Sequence, residues 1–145
     1  MGDNDLANDV SGPKAIEYLS ESGISTINID YYPDDISALQ SKIDSDVHDK
    51  YDLIIFIGGT GIFYRDVTIE ALTVKFSKEI QGFGEEFRRQ SIEQIGGRGL
   101  LSRACAGIIS KSLVVALPGS PKAVELGLSI LKTFIGHALK LINPE

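Results

Sequence analysis

Two short loops rich in glycine and proline could bind an anion. Gly58-Gly59-Thr60-Gly61 follows the apolar run at residues 53–57, and Pro118-Gly119-Ser120-Pro121 follows a second apolar run at residues 113–117. Glycines let several backbone N–H groups approach a phosphate, and a helix beginning after the second loop would add its N-terminal dipole. Each loop also has a structural interpretation: the first is a tight turn between a strand and a helix, and Ser120 of the second is a helix N-cap.

Two aspartates follow predicted strands and could face the same crevice. Asp34 lies in Pro33-Asp34-Asp35, and Asp66 comes shortly after the glycine loop in Arg65-Asp66-Val67-Thr68. Magnesium is usually held by one or two carboxylates together with the phosphates of a substrate. Aspartate also caps helices well, so capping is the alternative role for both residues.

The remaining side chains offer little chemistry. Several cations near the loops could neutralise phosphate, although such side chains are usually solvated: Arg65, Arg103, Lys111 and Lys122. Cys105 lies between two alanines, which favours a small packed side chain over a nucleophile. No Walker A loop, dinucleotide-binding glycine pattern or hydrolytic triad is present in the sequence.

The elements that would position these loops alternate between helix and strand. The sequence predicts helices at residues 11–23, at 36–50 after Asp34 or Asp35 as cap, at 67–76, at 83–95 and at 124–139. It predicts a half-buried strand at residues 24–30 and fully buried strands at 53–57 and 113–117. We therefore expect one α/β domain over residues 1–145, with a three-layer, open, mostly parallel sheet that carries helices on both faces. Ligands bind beyond the carboxyl ends of strands in such sheets, where both loops fall.

Charge and composition exclude several classes of function. The net charge is -6, and residues 1–52 hold twelve acidic against three basic side chains, which argues against nucleic-acid binding. The longest apolar runs have five residues, whereas a membrane helix needs about 18. One cysteine forms no internal disulfide. The sequence thus predicts a cytoplasmic protein that contacts no membrane, and it leaves open the binding of a small anionic ligand by local groups.

Three motifs in order carry a family resemblance. These are the segments Gly58-Gly59-Thr60-Gly61-Ile62-Phe63-Tyr64-Arg65-Asp66-Val67-Thr68-Ile69-Glu70-Ala71, Glu79-Ile80-Gln81-Gly82-Phe83-Gly84-Glu85-Glu86-Phe87-Arg88 and Leu117-Pro118-Gly119-Ser120-Pro121-Lys122-Ala123-Val124. The chain resembles the MogA/MoaB family of molybdenum cofactor biosynthesis proteins from about residue 9 onwards. The resemblance implies adenylylation of molybdopterin at its terminal phosphate by Mg-ATP, with release of pyrophosphate. The phosphate of the substrate is then the nucleophile, so positioning and charge neutralisation can suffice without a catalytic base.

The resemblance also implies site residues and partners. Asp34 and Asp66 would be catalytic and would hold Mg²⁺ with the phosphates. Substrate-binding residues carried over from the family motifs are Gly58, Gly59, Thr60, Gly61, Arg65, Glu79, Ser102, Pro118, Gly119 and Ser120. Molybdopterin and ATP would be the ligands, the protein would be a homotrimer or a higher multiple, and the metal-insertion protein of the pathway would be a partner.

Two departures from the family pattern leave alternatives open. The family commonly has threonine or serine immediately before the glycine loop, where this chain has Phe56 and Ile57. Family members also begin with an inner apolar strand, and Met1 lies beyond it, so we expect the sheet to lack an interior strand. One alternative is therefore a molybdopterin-binding or assembly protein that has lost catalysis. Another is a metal-assisted hydrolase of a nucleotide or pyrophosphate, as in the related CinA proteins.

Overall fold

Four strands form the sheet of this protein, for which a computed structural model describes residues 10–21, 24 and 27–144. The strands are β1 (Leu53–Ile57), β2 (Lys78–Glu79), β3 (Cys105–Ile109) and β4 (Ser112–Leu117), in the spatial order β1-β4-β3-β2. β1 and β4 pair in parallel, whereas the β4–β3 and β3–β2 pairs are antiparallel. The prediction of a mostly parallel sheet is therefore wrong for the described residues. A two-residue turn joins β3 to β4, and so short a connection permits only antiparallel pairing.

Helices pack on both faces of this sheet, as predicted. They are α1 (Ser11–Glu21), α2 (Ile36–His48), α3 (Thr68–Thr73), α4 (Gln81–Ile95), α5 (Pro121–Lys132) and α6 (Ile135–Ile142), with a 3-10 helix over Gly96–Leu101. Along central strand β4, Leu113, Val115 and Leu117 belong to a core shared with α1, α4 and α5. Val114 and Ala116 belong to the opposite core, with α2 and α3. The three-layer α/β class is confirmed.

Two predicted elements differ in the structure. The helix expected at residues 124–139 is two helices, because Thr133 and Phe134 interrupt it and the Thr133 hydroxyl donates to the Ile130 carbonyl at 2.6 Å. The strand expected at residues 24–30 is absent at Ile24 and at residues 27–30; residues 25 and 26 lie outside the described residues. A strand requires a hydrogen-bonded neighbour, and a cavity separates this stretch from β1.

That cavity has a volume of about 660 Å³ and runs along the side of β1 opposite to β4. Residues of α1 and α6 line one wall, residues of α2 line another, and residues 27–32 lie across from β1. Its inner end reaches Gly58, so it adjoins the first candidate loop. Among the helices that the structure describes, none is both long and apolar enough to cross a membrane.

Substitution of Gly127 in α5 tests how tightly this helix packs on the sheet. A Cβ atom at this position would lie 2.3 Å from a methyl carbon of the buried Leu117. We expect Gly127→Ala to lower the free energy of unfolding in urea by about 1–3 kcal/mol through overpacking. The matched control is Gly136→Ala in α6, where a Cβ atom would meet open space. Alanine there should raise stability by about 0.5–1 kcal/mol, and equal effects of the two substitutions would contradict the packing.

Candidate functional site

The carboxyl ends of β1 and β4 bring the two candidate loops together. The Gly58 N–H donates to the Leu117 carbonyl at 2.8 Å, and a Cβ atom at Gly119 would lie 3.8 Å from the Gly58 Cα. The Ser11 hydroxyl at the start of α1 donates to the Gly119 carbonyl at 2.6 Å. Ser11 is thus the first residue of α1 and a tether for the second loop.

The four carbonyl groups of the first loop all point into the protein. Thr68 forms hydrogen bonds with two of them. Its hydroxyl donates to the Gly58 carbonyl at 2.9 Å, and its N–H donates to the Gly59 carbonyl at 3.2 Å. The Arg103 N–H donates to the Thr60 carbonyl at 2.8 Å, and the Arg103 guanidinium donates to the Gly61 carbonyl at 2.7 and 3.0 Å. The loop is therefore fixed through every one of its acceptors.

Three of the four N–H groups of the same loop have no acceptor among the described residues. Those of Gly59, Thr60 and Gly61 donate to no atom of the residues described here. Gly58 and Thr60 are buried, and the two other glycines are half-buried, so these donors lie in a sheltered position. Positive φ angles at Gly58 (104°) and Gly59 (69°) allow this arrangement, and a Cβ atom at Gly59 would lie only 2.2 Å from the Thr68 hydroxyl. Adjacent free N–H groups of this kind can bind an anion, and we call this set of three donors the nest.

Arg103 is a support for the nest and not the free phosphate-binding cation that its position in the sequence suggested. Besides Gly61 it bonds to the Asp66 carbonyl at 3.2 Å and forms an ion pair with Glu70 in α3. The hydrogen bond from Arg103 lowers the pKa of the Glu70 carboxyl below its usual value. Sequence reasoning missed Thr68 and Glu70 as partners of this loop, and no local pattern links Arg103 to a glycine 42 residues earlier.

Neither predicted magnesium ligand caps a helix. The cap of α2 is Asp35, whose Oδ2 accepts from the Ala38 N–H at 3.3 Å, and α3 has no side-chain cap. Asp66 Oδ2 instead accepts from the Phe63 N–H at 2.9 Å and closes the turn that follows the glycine loop. A Cβ atom at Gly61 would lie 2.8 Å from the same oxygen, so the carboxylate packs closely against the loop.

The two carboxylates border different cavities. Asp34 is exposed and lines the 660 Å³ cavity beside β1, together with Gly58 and Thr68. Asp66 lines a shallower pocket of about 390 Å³ with Phe63, Tyr64 and other residues of the adjoining turn. Asp66 packs against the glycine loop, whereas Asp34 and Gly58 only share the lining of one long cavity. No group of three or more His, Cys, Asp or Glu suited to a metal ion occurs among the described residues.

The remaining predicted residues divide between positions near the loops and distant ones. Ser120 caps α5, with its Oγ accepting from the Ala123 N–H at 3.2 Å, and Pro118 precedes it at the end of β4. Arg65 is exposed and lies over the rings of its neighbours Phe63 and Tyr64, at 5.4 and 5.8 Å. Ser102 directly precedes the tethering arginine, and its Oγ accepts from the Ala104 N–H at 3.2 Å.

Glu79 and Lys111 lie away from the loops. Glu79 lies on the edge strand β2, where it pairs with Gly107 of β3. Strands β3 and β4 therefore separate it from β1. Lys111 is in the β3–β4 turn, at the other end of the sheet from both loops. Cys105 is a packed side chain, as expected: burial, with a smaller effect of the Glu79 charge, raises the pKa of its thiol to about 11, which keeps it protonated.

The comparisons with known proteins agree with this architecture. A family model described as a probable molybdopterin binding domain matches residues 3–137. The chain belongs to this family. It is 43% identical over 141 residues to the molybdenum cofactor biosynthesis protein B of Staphylococcus carnosus. The alignment covers 94% of this chain and 76% of that protein.

Solved structures of the MogA/MoaB type extend the likeness to the fold. A crystal structure of a molybdenum cofactor biosynthesis protein B superposes with a TM-score of 0.91 at 36% identity, covering 97% of this chain and 89% of that one. The tungsten cofactor synthesizing protein MoaB of Pyrococcus furiosus superposes with a TM-score of 0.84 at 39% identity, covering 92% of this chain and 85% of that one. The resemblance of the three motifs is confirmed, and with it a role in molybdenum cofactor biosynthesis.

Thr68 gives a direct test of how the nest is held. Thr68→Val keeps the shape of the side chain but removes the hydroxyl that donates to the Gly58 carbonyl, so we expect a loss of about 1–2 kcal/mol in the free energy of unfolding. Thr73→Val is the matched control, because the Thr73 hydroxyl makes an exposed bond to the Ile69 carbonyl in the same helix. Urea denaturation of both variants measures the difference. Equal losses of unfolding free energy would show that the buried hydrogen bond stabilises the protein no more than the exposed one does.

The Arg103–Glu70 pair predicts a pH dependence of stability. Because the pKa of folded Glu70 lies below its usual value of 4.5, the pair stabilises the fold above that pH and is lost as the pH falls through the folded pKa. We expect Glu70→Gln to be less stable than the parent chain at neutral pH. The difference should narrow as the pH falls below about 4.5. Unfolding curves of both proteins between pH 3 and pH 7 measure it, and a difference independent of pH would contradict the pair.

Proposed function

We propose that this chain transfers the adenylyl group of Mg-ATP to the terminal phosphate of molybdopterin and releases pyrophosphate. The observation that carries the proposal is the nest formed by the free N–H groups of Gly59, Thr60 and Gly61. A second anion-binding element adjoins it, because Gly119 leads directly into the N-terminus of the twelve-residue helix α5. Two adjacent positions for anions suit a reaction that joins two phosphate-bearing substrates.

The chemistry requires orientation and charge neutralisation more than proton transfer. An oxygen of the pterin phosphate attacks the α-phosphorus of ATP, a P–O bond to it forms, and the bond from that phosphorus to the bridging oxygen of pyrophosphate breaks. The nucleophile is already an anion, so no general base is needed. The rigid N–H groups of the nest would stabilise the negative charge on the transferring phosphoryl group without reorganisation.

Magnesium fits the residues that are present. Asp66 uses Oδ2 to hold the turn, while its Oδ1 accepts no hydrogen bond from the described residues. A single carboxylate oxygen beside an anion nest is the donor set that magnesium takes when substrate phosphates supply its other ligands. Asp66 would hold the ion, and Asp34 would orient the phosphates. The ion would neutralise charge on the departing pyrophosphate.

A second candidate is a molybdopterin-binding or assembly protein without catalysis. Ile57, which precedes the nest, is half-buried against the core and offers no hydroxyl to a ligand. To separate the candidates, we would measure molybdopterin binding and the formation of adenylylated molybdopterin and pyrophosphate in the same samples. Product formation dependent on both ATP and Mg²⁺ supports the transferase, and tight pterin binding without product supports the second candidate. Nucleotide hydrolysis without any pterin would overturn both.

Asp66 can be tested with little change to the fold. Asp66→Asn keeps an oxygen that can accept from the Phe63 N–H, so we expect unfolding to change by less than about 0.5 kcal/mol. It removes the negative charge offered to the metal, so turnover should fall on the order of a hundredfold and demand more Mg²⁺. The matched control is Asp35→Asn at the cap of α2, because asparagine caps as well as aspartate and turnover should be unchanged. Unchanged turnover in Asp66→Asn would make its role purely structural.

The expected homotrimer also remains a proposal. It is supported by an exposed apolar surface on α4 and the 3-10 helix, formed by Ile92, Ile95, Leu100 and Leu101. Sedimentation equilibrium of the whole chain would measure its mass, and a monomer at all concentrations would overturn this expectation.

A further inference from the structure

An exposed aromatic segment lies directly after the nest. Ile62, Phe63 and Tyr64 follow Gly61 in the sequence and are 68%, 54% and 81% exposed. Together with Arg65 they form what we call the aromatic turn, residues 62–65. Three consecutive large side chains of mainly apolar character are unfavourable in solvent, and such runs occur where they serve a function. The aromatic turn is therefore a candidate contact for a ligand.

Hydrogen bonds hold the aromatic turn in place. The Asp66 N–H donates to the Phe63 carbonyl at 2.9 Å, and the Asp66 Oδ2 accepts from the Phe63 N–H at 2.9 Å. The Asp66 carbonyl accepts from Arg103, whose guanidinium also donates to the Gly61 carbonyl. The exposed rings are thus attached to the same framework as the nest. A ligand that binds them has little backbone to order, which favours affinity.

The rings of Phe63 and Tyr64 form a platform with a positive charge beside it. Their centroids are 4.6 Å apart, and the ring planes are inclined by 49°. The Arg65 guanidinium lies over both rings and forms no ion pair with the residues that the structure describes. Most of the Tyr64 side chain still faces solvent. A flat heteroaromatic ring can therefore stack on Tyr64, and the guanidinium adds positive charge for a phosphate attached to that ring.

The platform is within reach of a phosphate bound in the nest. Phe63 comes two residues after Gly61, so their Cα atoms are at most about 7 Å apart. Phe63 and Tyr64 also line the 390 Å³ pocket together with Asp66, the residue proposed above to hold magnesium. Magnesium accompanies the phosphates of ATP. The nucleotide, rather than the pterin, therefore belongs on this side of the nest.

We propose that the aromatic turn binds the adenine base of ATP, with Tyr64 as the stacking platform and Phe63 as its support. This assignment rests on the adenylyl transfer proposed above and adds the element that binds the nucleoside. Every base offers a flat face, so the turn would raise the affinity for nucleotides in general more than it would select among them. The pterin would then lie on the side of Gly119 and Ser120.

Binding of Mg-ATP and of Mg-tripolyphosphate tests the base contact, because tripolyphosphate has the phosphates without the base. Isothermal titration calorimetry of the whole chain measures both. We expect Tyr64→Leu, which keeps an apolar side chain but has no ring, to weaken ATP binding about tenfold and to leave tripolyphosphate binding unchanged. Tyr64→Phe keeps the ring and should bind ATP as the parent chain does. Equal losses for both ligands, or no loss for ATP, would overturn the proposal.

Tyr32→Leu is the matched control for Tyr64→Leu. Tyr32 is also exposed and also lies beneath a cation, with the Lys42 Nζ 5.8 Å from its ring centroid, but it lines the larger cavity. ATP binding should be unchanged in this variant. A loss of ATP affinity in Tyr32→Leu and not in Tyr64→Leu would place the base in the larger cavity and overturn the proposal.

Proton NMR gives a direct sign of stacking. The H2 and H8 resonances of adenine should move upfield when ATP binds to the parent chain or to Tyr64→Phe, because ring currents shield protons above an aromatic face. The same resonances should stay in place with Tyr64→Leu. Equal shifts with all three chains would overturn the proposal.

Turnover separates this proposal from the proposed function. Where adenylylated molybdopterin forms, Tyr64→Leu should raise the KM for ATP about tenfold and leave the KM for molybdopterin unchanged. A raised KM for molybdopterin alone would place the pterin on the turn, so this proposal would fail while the transferase stands. ATP binding that depends on Tyr64 but gives no product would instead overturn the transferase and support the base contact. A lower mass of Tyr64→Leu in sedimentation would assign the turn to contact with a second copy, and this proposal would fail.

Discussion

The orientation of the peptide groups between Gly58 and Gly61 is the constraint on which the candidate site depends. Thr68 and Arg103 bind all four carbonyl oxygens of this loop. A peptide group is planar, so a carbonyl held inward turns the following N–H outward. The result is a set of donors whose direction is fixed by hydrogen bonds within the protein rather than by a ligand. Such a site can stabilise charge without first rearranging, which is the usual source of electrostatic catalysis.

The sheet supplies the frame for this loop. Every residue of β4 is buried, and its two faces carry separate cores, so its carboxyl end is held from both sides. β1 lies parallel to it, so Gly58 and Pro118 emerge at the same edge. Ser120 then caps α5, and the Ser11 hydroxyl holds the Gly119 carbonyl. Two loops separated by about 60 residues in the sequence thereby form one continuous surface.

Local patterns were enough to predict β1, β4 and most helices, because an apolar run or a helical stripe reflects what each element packs against. They did not predict β2 or the largely buried β3. The same patterns located both glycine loops at the carboxyl edge of the sheet. They did not reveal the break at Thr133 and Phe134, since the apolar spacing continues across it. The antiparallel β3–β4 pair did have a signal in its short polar turn at Ser110-Lys111, which permits no parallel connection.

The parts of the site that sequence reasoning missed depend on contacts across the chain. Arg103 was predicted as a solvated or phosphate-binding cation, and its actual role follows from carbonyl groups about 40 residues away. For Asp34 and Asp66 the sequence left capping and metal binding open, and only the geometry excludes capping. The stretch at residues 24–30 is a similar case, because its conformation depends on a neighbouring strand. Alternation of apolar and polar residues specifies a strand only where another strand lies beside it.

The bond between Ser11 and Gly119 spans 108 residues, and it has a consequence for how the protein is made. Contacts so distant in sequence form late, since a large loop must close before they contribute. During synthesis the chain emerges from its N-terminus, so α1 must wait for β4 before its tether exists. The nest itself cannot be fixed until Arg103 has left the ribosome. A nascent chain therefore carries the glycine loop before it can bind an anion there, and anion binding would report only on molecules in which the Arg103 bonds to the loop have formed.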